Sequence, residues 1–142
     1  MIEVDNLSFT YANDTAPAIS NISLEIGESE IVLVTGPSGS GKSTLCRCFN
    51  GLIPHFYGGT ISGRLRVCEL DPLRTSTRVM AEKVGMVFQD PENQLVTTDV
   101  EHEIAFGLEN IGLSKQIIAK RIEETLDTVG IDHLRRKNIE SL

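Results

Sequence analysis

The stretch IVLVTGPSGSGKSTL, residues 31–45, decides the fold predicted for this chain. Residues 36–43 fit the pattern G-x-x-x-x-G-K-[ST], whose glycines let a loop wrap with its backbone N–H groups pointing inward around phosphate oxygens. The preceding run from Ile31 to Val34 is apolar and mostly β-branched, which indicates a strand buried on both faces. The residues that follow predict a helix from Lys42 to about Leu52, whose positive N-terminal end would face the same phosphates.

This phosphate-binding loop, called the P-loop below, also contributes side-chain chemistry. Lys42 would bring a positive charge to the β- and γ-phosphates of a nucleotide, and the Ser43 hydroxyl would bind Mg²⁺. The residues predicted to contact the nucleotide here are Gly36, Pro37, Ser38, Gly39, Ser40, Gly41, Lys42, Ser43 and Thr44.

The residues before the P-loop alternate between apolar and polar. The alternation changes phase near Asp5-Asn6, which predicts a strand with a bulge at that point, ending at Tyr11. A second alternating stretch covers residues 22–26. The two stretches predict an antiparallel pair with one face in water.

The residues after the first helix predict a return to the buried sheet. Alternation around Leu65 and Val67 precedes a short helix ending near residues 81–83, and Val84 to Phe88 form a second continuous apolar run. The runs at 31–34 and 84–88 predict two strands of a parallel sheet, joined by a right-handed crossover. The predicted fold class is therefore α/β.

The sequence becomes helical after Gln89. Thr98 and Glu101 have the spacing of a capping box, and the apolar stripe that follows them ends at Gly112. Ser114 is the predicted cap of a second helix, which ends at Gly130. These apolar stripes predict packing faces.

Composition narrows the function classes. The chain carries 13 Lys and Arg against 20 Asp and Glu, a formal net charge of −7, so bulk charge argues against nucleic acid as a partner. No apolar run approaches the roughly 18 residues that span a bilayer, and the start of the chain does not resemble a secretion signal. The 3 cysteines, Cys46, Cys48 and Cys68, lack disulfide or zinc spacing and are predicted to be small buried side chains.

Several of these features together resemble one superfamily. The sequence VGMVFQDPENQLVTTDVEHEIAFGLENIGL, residues 84–113, closely resembles the glutamine loop and the segment after it in ATP-binding cassette (ABC) proteins. DPENQ at 90–94 and NGLIPH at 50–55 are most similar to the ATPase subunits of energy-coupling factor transporters, which import vitamins, cobalt or nickel. The resemblance implies a P-loop ATPase fold of the ABC type, with residues 1–89 as the nucleotide-binding α/β core and residues 90–142 as the start of a helical subdomain facing a membrane partner.

The resemblance also implies roles, cofactors and partners. Tyr11 would stack on the adenine ring of ATP, and an aromatic face accepts any base. Lys42 and Gln89 would be the catalytic residues, with Gln89 contacting Mg²⁺ and the attacking water. A second ATPase subunit and a transmembrane coupling subunit are the implied partners, at the cytoplasmic face of the cell membrane.

The family pattern continues past what this sequence contains. ABC ATPases continue from a leucine into a Ser-Gly-Gly-Gln signature loop, an acidic strand and a switch histidine, whereas this sequence ends at Leu142. We therefore expect these 142 residues to bind nucleotide without efficient turnover. The alternatives are an interaction fragment without enzymatic activity, an ABC-type ATPase of DNA repair or chromosome maintenance, and a small-molecule kinase that shares the P-loop. A GTP-binding switch is disfavoured because the sequence has no N-K-x-D motif.

Overall fold

The computed structural model describes all residues from Met1 to Leu142 and divides them into two compact units. The first unit comprises Met1–Met86 and the second Val87–Leu142. None of the helices combines the length and the apolar character needed to cross a bilayer.

The first unit is built on a three-stranded antiparallel sheet. Its strands are β1 (Ile2–Tyr11), β2 (Ile19–Ile26) and β3 (Gly59–Val67), in the spatial order β2-β1-β3. The pairing of β1 with β2 shifts register between Val4 and Leu7, and Asn6 lies between them with a φ of 49°. The antiparallel pair and its bulge are therefore where the alternation of the sequence predicts them, and β3 adds a partner on the other side of β1.

Three short helices accompany this sheet. They are α1 (Lys42–Phe49), α2 (Leu52–His55) and α3 (Thr77–Ala81). The sheet and the helices enclose one apolar core, because alternate side chains of each strand point to the same face. The buried members of this core are Val4, Leu7, Phe9, Ile19, Leu45, Cys48, Ile53, Leu65, Val67 and Met80.

The two runs predicted as strands of a parallel sheet do not form a sheet within these residues. Residues 31–34 and 84–88 have no strand assignment and pair with no other segment. The side chain of Ile31 is fully exposed and that of Leu33 is 86% exposed. A strand needs hydrogen-bonding neighbours on at least one edge, and no segment of the described chain forms strand pairing with either run. The predicted βαβ crossover is consequently not completed here.

The second unit is helical. Its helices are α4 (Val100–Asn110) and α5 (Lys115–Val129), with 3₁₀ turns at Pro91–Gln94, Asp132–Leu134 and Ile139–Ser141. The apolar stripes of α4 and α5 form its core, as their spacing predicts, through Val100, Ala105, Ile118, Ile122 and Leu126.

The ends of these two helices test the predicted caps. Ser114 does cap α5, since its hydroxyl accepts from the backbone N–H of Ile117, and Gly130 ends that helix in the left-handed conformation. The capping box at Thr98 is wrong, because Asp99 is the N-cap of α4 and its carboxylate accepts from the backbone N–H of His102. A carboxylate at the N-cap also places a full negative charge at the positive end of the helix dipole, which stabilises the helix.

The cysteines differ in environment, which corrects the prediction that all three are buried. Cys48 is buried on the core side of α1, whereas Cys46 and Cys68 are exposed. Burial, together with the neighbouring Cys46, raises the pKa of the Cys48 thiol to about 12. Cys48 therefore packs as a neutral apolar side chain.

Candidate nucleotide-binding site

The P-loop leads directly into helix α1 and depends on glycine geometry. Gly36, Gly39 and Gly41 have positive φ angles of 152°, 79° and 89°. Gly41 is the N-cap of α1, in the left-handed conformation. Only glycine adopts such angles without a steric cost from Cβ, so the chain can curl before the helix begins.

Gly41 also lies against the start of strand β2. A Cβ atom built on Gly41 would lie 2.4 Å from the carbonyl oxygen of Ala18 and 2.7 Å from a methyl carbon of Ile19. No such contact exists at Gly39, where a Cβ would meet nothing within 4 Å. The absence of a side chain at Gly41 therefore lets the first turn of α1 approach the sheet.

The first turn of α1 presents unused hydrogen-bond donors. No side chain caps the helix. The backbone N–H groups of Lys42, Ser43 and Thr44 have no acceptor within the chain. Such donors at a helix N-terminus carry the positive end of the helix dipole and favour an anion. The arrangement provides what a phosphate group needs.

Lys42 begins α1, and its side chain folds back over the P-loop. Its ammonium Nζ donates to the carbonyl oxygens of Gly36 at 2.9 Å and Pro37 at 2.8 Å, and lies 3.3 Å from the Ser40 hydroxyl oxygen. All three donors of the ammonium are directed at the loop. These contacts hold the positive charge beside the free N–H groups, where phosphate oxygens would be placed.

Ser43 and Gln89 are the two residues whose side-chain oxygen atoms are predicted to bind Mg²⁺. The Ser43 side chain is exposed at the mouth of the P-loop. A hydroxyl oxygen beside phosphate oxygens fits Mg²⁺, which takes few protein ligands and completes its octahedron with phosphate and water. Gln89, the other predicted metal ligand, is an exposed residue of the second unit. Its predicted contact with Mg²⁺ stays a prediction.

Tyr11, at the end of β1, reaches helix α1. Its hydroxyl is 3.0 Å from the Thr44 Oγ1 atom and accepts from an Arg47 terminal nitrogen at 3.3 Å. Its ring meets the ring of Phe9 edge to face, with 4.8 Å between centroids. The residue predicted to bind the base is thus attached to the helix that begins at the phosphate loop.

Two residues of α1, Thr44 and Arg47, have contacts that the sequence pattern does not predict. Thr44 was predicted to contact nucleotide, yet its side chain is buried and its hydroxyl is taken by Tyr11, which leaves only its backbone N–H for a ligand. Arg47 was not predicted as part of the site. The one available signal was its position one helical turn after Ser43, which does not reveal the direction of a long side chain.

Two acidic side chains of α4, in the second unit, form specific ion pairs and hydrogen bonds. Arg135 makes a two-pronged ion pair with Glu101, at 2.8 and 2.9 Å, and this bond holds the pKa of Glu101 below its ordinary value. The Glu103 carboxylate accepts from the backbone N–H groups of Val96 and Thr97 at 3.1 and 2.8 Å. These acids of α4 therefore order the segments on either side of that helix and are not all surface charges.

Comparison with known proteins now decides the family. The sequence profile of the ABC transporter family matches residues 19–142. This chain belongs to the ABC transporter family. The resemblance found in the sequence motifs is thereby confirmed.

Relatives of this ABC chain have been described in bacteria and archaea. It is 43% identical over 142 residues to a protein of Streptomyces coelicolor described as an ABC transporter ATP-binding protein, and 42% identical over 142 residues to one of Methanosarcina acetivorans. All of this chain is covered in both cases, but only 25% and 22% of those proteins. The chain thus spans about a quarter of the length of the curated relatives it matches.

Solved structures place the chain in the same fold. It matches cbiO1 from Clostridium perfringens, part of the ABC transporter complex cbiONQ, with a TM-score of 0.82 at 34% identity, over 99% of this chain and 55% of that one. It matches the dimeric structure of MJ0796, a bacterial ABC transporter cassette, with a TM-score of 0.77 at 25% identity, over 100% of this chain and 63% of that one. This ABC chain therefore has the α/β fold of the ABC-type P-loop nucleotide-binding domain and covers part of that domain.

Proposed function

We propose that these residues are the ATP- and Mg²⁺-binding part of an ABC transporter ATPase that drives import of a micronutrient, either a metal ion or a vitamin. The P-loop geometry carries this proposal. Free N–H groups, the positive end of α1 and the Lys42 ammonium converge beside the loop from Gly36 to Gly41. This combination favours a polyphosphate over a neutral ligand, because every group points positive charge to one place.

Each group has a distinct part in the proposed mechanism. Lys42 exchanges its bonds to the loop carbonyls for bonds to the β- and γ-phosphates and offsets the charge on the transferred phosphoryl group. Ser43 holds Mg²⁺, which would neutralise charge on the same oxygens when bound. Tyr11 stacks on the adenine ring, and Gln89 orients the attacking water.

The proposed partners follow from the relatives. The cbiO1 protein is part of a transporter complex, and MJ0796 was solved as a dimer. We infer that this chain acts beside a second ATPase subunit and a transmembrane coupling subunit, at the cytoplasmic face of the membrane. The DPENQ and NGLIPH segments favour the import class, while the choice of substrate would rest with the membrane subunit.

The test of this proposal is the Lys42→Ala substitution. Charge-assisted hydrogen bonds contribute about 1.5–3 kcal/mol each, so loss of the ammonium should weaken binding of a fluorescently labelled ATP about ten- to a hundredfold. Omitting Mg²⁺ should weaken ATP binding to the unsubstituted chain as well. Lys83→Ala is the matched control, because Lys83 is exposed in the same unit and makes no side-chain bond. Equal affinities for the Lys42→Ala and Lys83→Ala chains would refute the phosphate site.

A further inference from the structure

Arg47 is an arginine of α1 with an unusual set of contacts. One terminal nitrogen donates to the Tyr11 hydroxyl at 3.3 Å, and the guanidinium carbon lies 4.6 Å from the centre of the Tyr57 ring. Its Nε atom is buried and has no hydrogen-bond partner. An arginine serving only solubility would extend into water, where every N–H can be satisfied.

The contacts of Arg47 restrict its movement. Stacking on Tyr57 places the positive guanidinium against the negative face of an aromatic ring, a favourable cation–π contact. That contact keeps the plane of the guanidinium in place while leaving Nε unbonded. The bond to Tyr11 therefore comes from a donor that is already fixed.

Tyr11 is the residue that gains from this arrangement. Thr44 and Arg47 both bond its hydroxyl, and Phe9 contacts its ring. A phenol held at its hydroxyl and against one neighbouring ring has little freedom to turn. A ring that is already in its bound orientation loses less conformational entropy when a base stacks on it.

We propose that Arg47 is a positioning residue for nucleotide-base recognition, acting by holding the Tyr11 ring ready to stack. This inference rests on the proposed binding of ATP with its base on Tyr11. Arg47 itself touches no phosphate-binding group of the P-loop. Its removal should therefore affect ligands that have a base and spare those that have none.

The experiment compares two ligands in the full chain, using Mg²⁺-ATP and Mg²⁺ with inorganic triphosphate in calorimetric titrations. Arg47→Ala should weaken ATP about three- to tenfold, the equivalent of one hydrogen bond, and change triphosphate affinity by less than about twofold. Arg47→Lys, which keeps a charged donor, should recover most of the ATP affinity. Arg78→Ala, at an exposed arginine of α3, is the control and should change neither ligand.

A second background separates positioning from general damage. In the Tyr11→Phe chain the hydroxyl is gone, so Arg47→Ala should cause no additional loss of ATP affinity. The proposal is overturned if Arg47→Ala weakens both ligands equally, if it behaves like Arg78→Ala, or if its effect persists in the Tyr11→Phe background. If the Arg47→Ala chain is unfolded, Arg47→Met, which keeps most of the side-chain bulk but has no hydrogen-bond donor, replaces it in both backgrounds and should show the same losses. An unsubstituted chain that binds neither ligand would overturn the proposed function itself, and this inference with it.

Discussion

Replacing Gly41 by alanine tests whether the P-loop helix really begins against the sheet. Gly41 has a φ of 89°, a conformation that costs a residue with a Cβ about 1–2 kcal/mol. The added methyl would also lie 2.4 Å from the Ala18 carbonyl oxygen, well inside the optimal separation of nonbonded atoms. Such overpacking typically costs about 1–3 kcal/mol, which gives a total of about 2–5 kcal/mol.

The matched control is Gly39→Ala, in the same loop. Gly39 has a similar φ of 79°, but its Cβ would meet nothing within 4 Å. This substitution should cost only the conformational term, about 1–2 kcal/mol. The difference between the two variants isolates the contact of Gly41 with the start of β2.

Thermal unfolding followed by circular dichroism measures this difference. At about 3 °C per kcal/mol for a chain of this size, the midpoint should fall by roughly 6–15 °C in Gly41→Ala and roughly 3–6 °C in Gly39→Ala. The Gly41 variant should also bind labelled ATP more weakly, because the first turn of α1 must move away from its place. Equal midpoints for the two variants would refute the close approach, since both would then show only the conformational cost.

Three further outcomes follow from features described above. Tyr11→Ala should weaken ATP binding by about 1–3 kcal/mol with a much smaller effect on inorganic triphosphate, and Tyr11→Trp, which keeps an aromatic face but loses the hydroxyl, should weaken ATP binding less than Tyr11→Ala; equal losses for both ligands would indicate damage to the fold. The bond from Arg135 lowers the pKa of Glu101, so its contribution to stability is complete above the unfolded value near 4.5 and is lost as pH falls through the folded value. The Glu101→Gln chain, which lacks this titration, should accordingly have a lower free energy of unfolding than the unsubstituted chain at neutral pH, and the difference should shrink as pH falls through the folded value. Denaturant unfolding followed by circular dichroism at several pH values measures this difference; a difference that does not change with pH would contradict the assignment. The 142-residue chain, purified alone, should form dimers or larger species through the exposed run at 31–34 and hydrolyse ATP about a thousandfold or more slowly than intact ABC ATPases; a monomer in size-exclusion chromatography with full phosphate release would contradict both expectations.

The sequence predicted those elements whose determinants are local. The change of alternation phase near Asp5-Asn6 corresponds to a real shift in strand register, and the glycine spacing of the P-loop corresponds to the positive φ angles at its turns. Both signals reside within a few residues and need no distant partner. The cap of α5 at Ser114 belongs to the same class.

The differences arise where a distant partner decides the outcome. Residues 31–34 have the composition of a buried strand. A strand also needs a second backbone segment to pair with through hydrogen bonds, and no segment of the described chain pairs with residues 31–34. Thr98 and Asp99 are both good N-caps, and the choice between adjacent candidates depends on the path of the chain into the helix. Arg47 enters the site only because β1 brings Tyr11 and the segment after α2 brings Tyr57 to the same side of α1.

The central position of β1 has a consequence for the order in which this chain can fold. β1 precedes β2 and β3 in the chain, yet its pairing with β3 is complete only when Val67 has been made, since Ile2 pairs with Val67. The P-loop and α1 lie between β2 and β3 in the sequence. Because β2 and β3 both pair with β1, the segment between them forms a closed loop. A ribosome-bound chain can form the β1–β2 hairpin early, whereas the closed loop that carries the P-loop forms only after β3 emerges. Shortening the chain from its start would therefore remove the middle of the sheet and leave two strands with no partner.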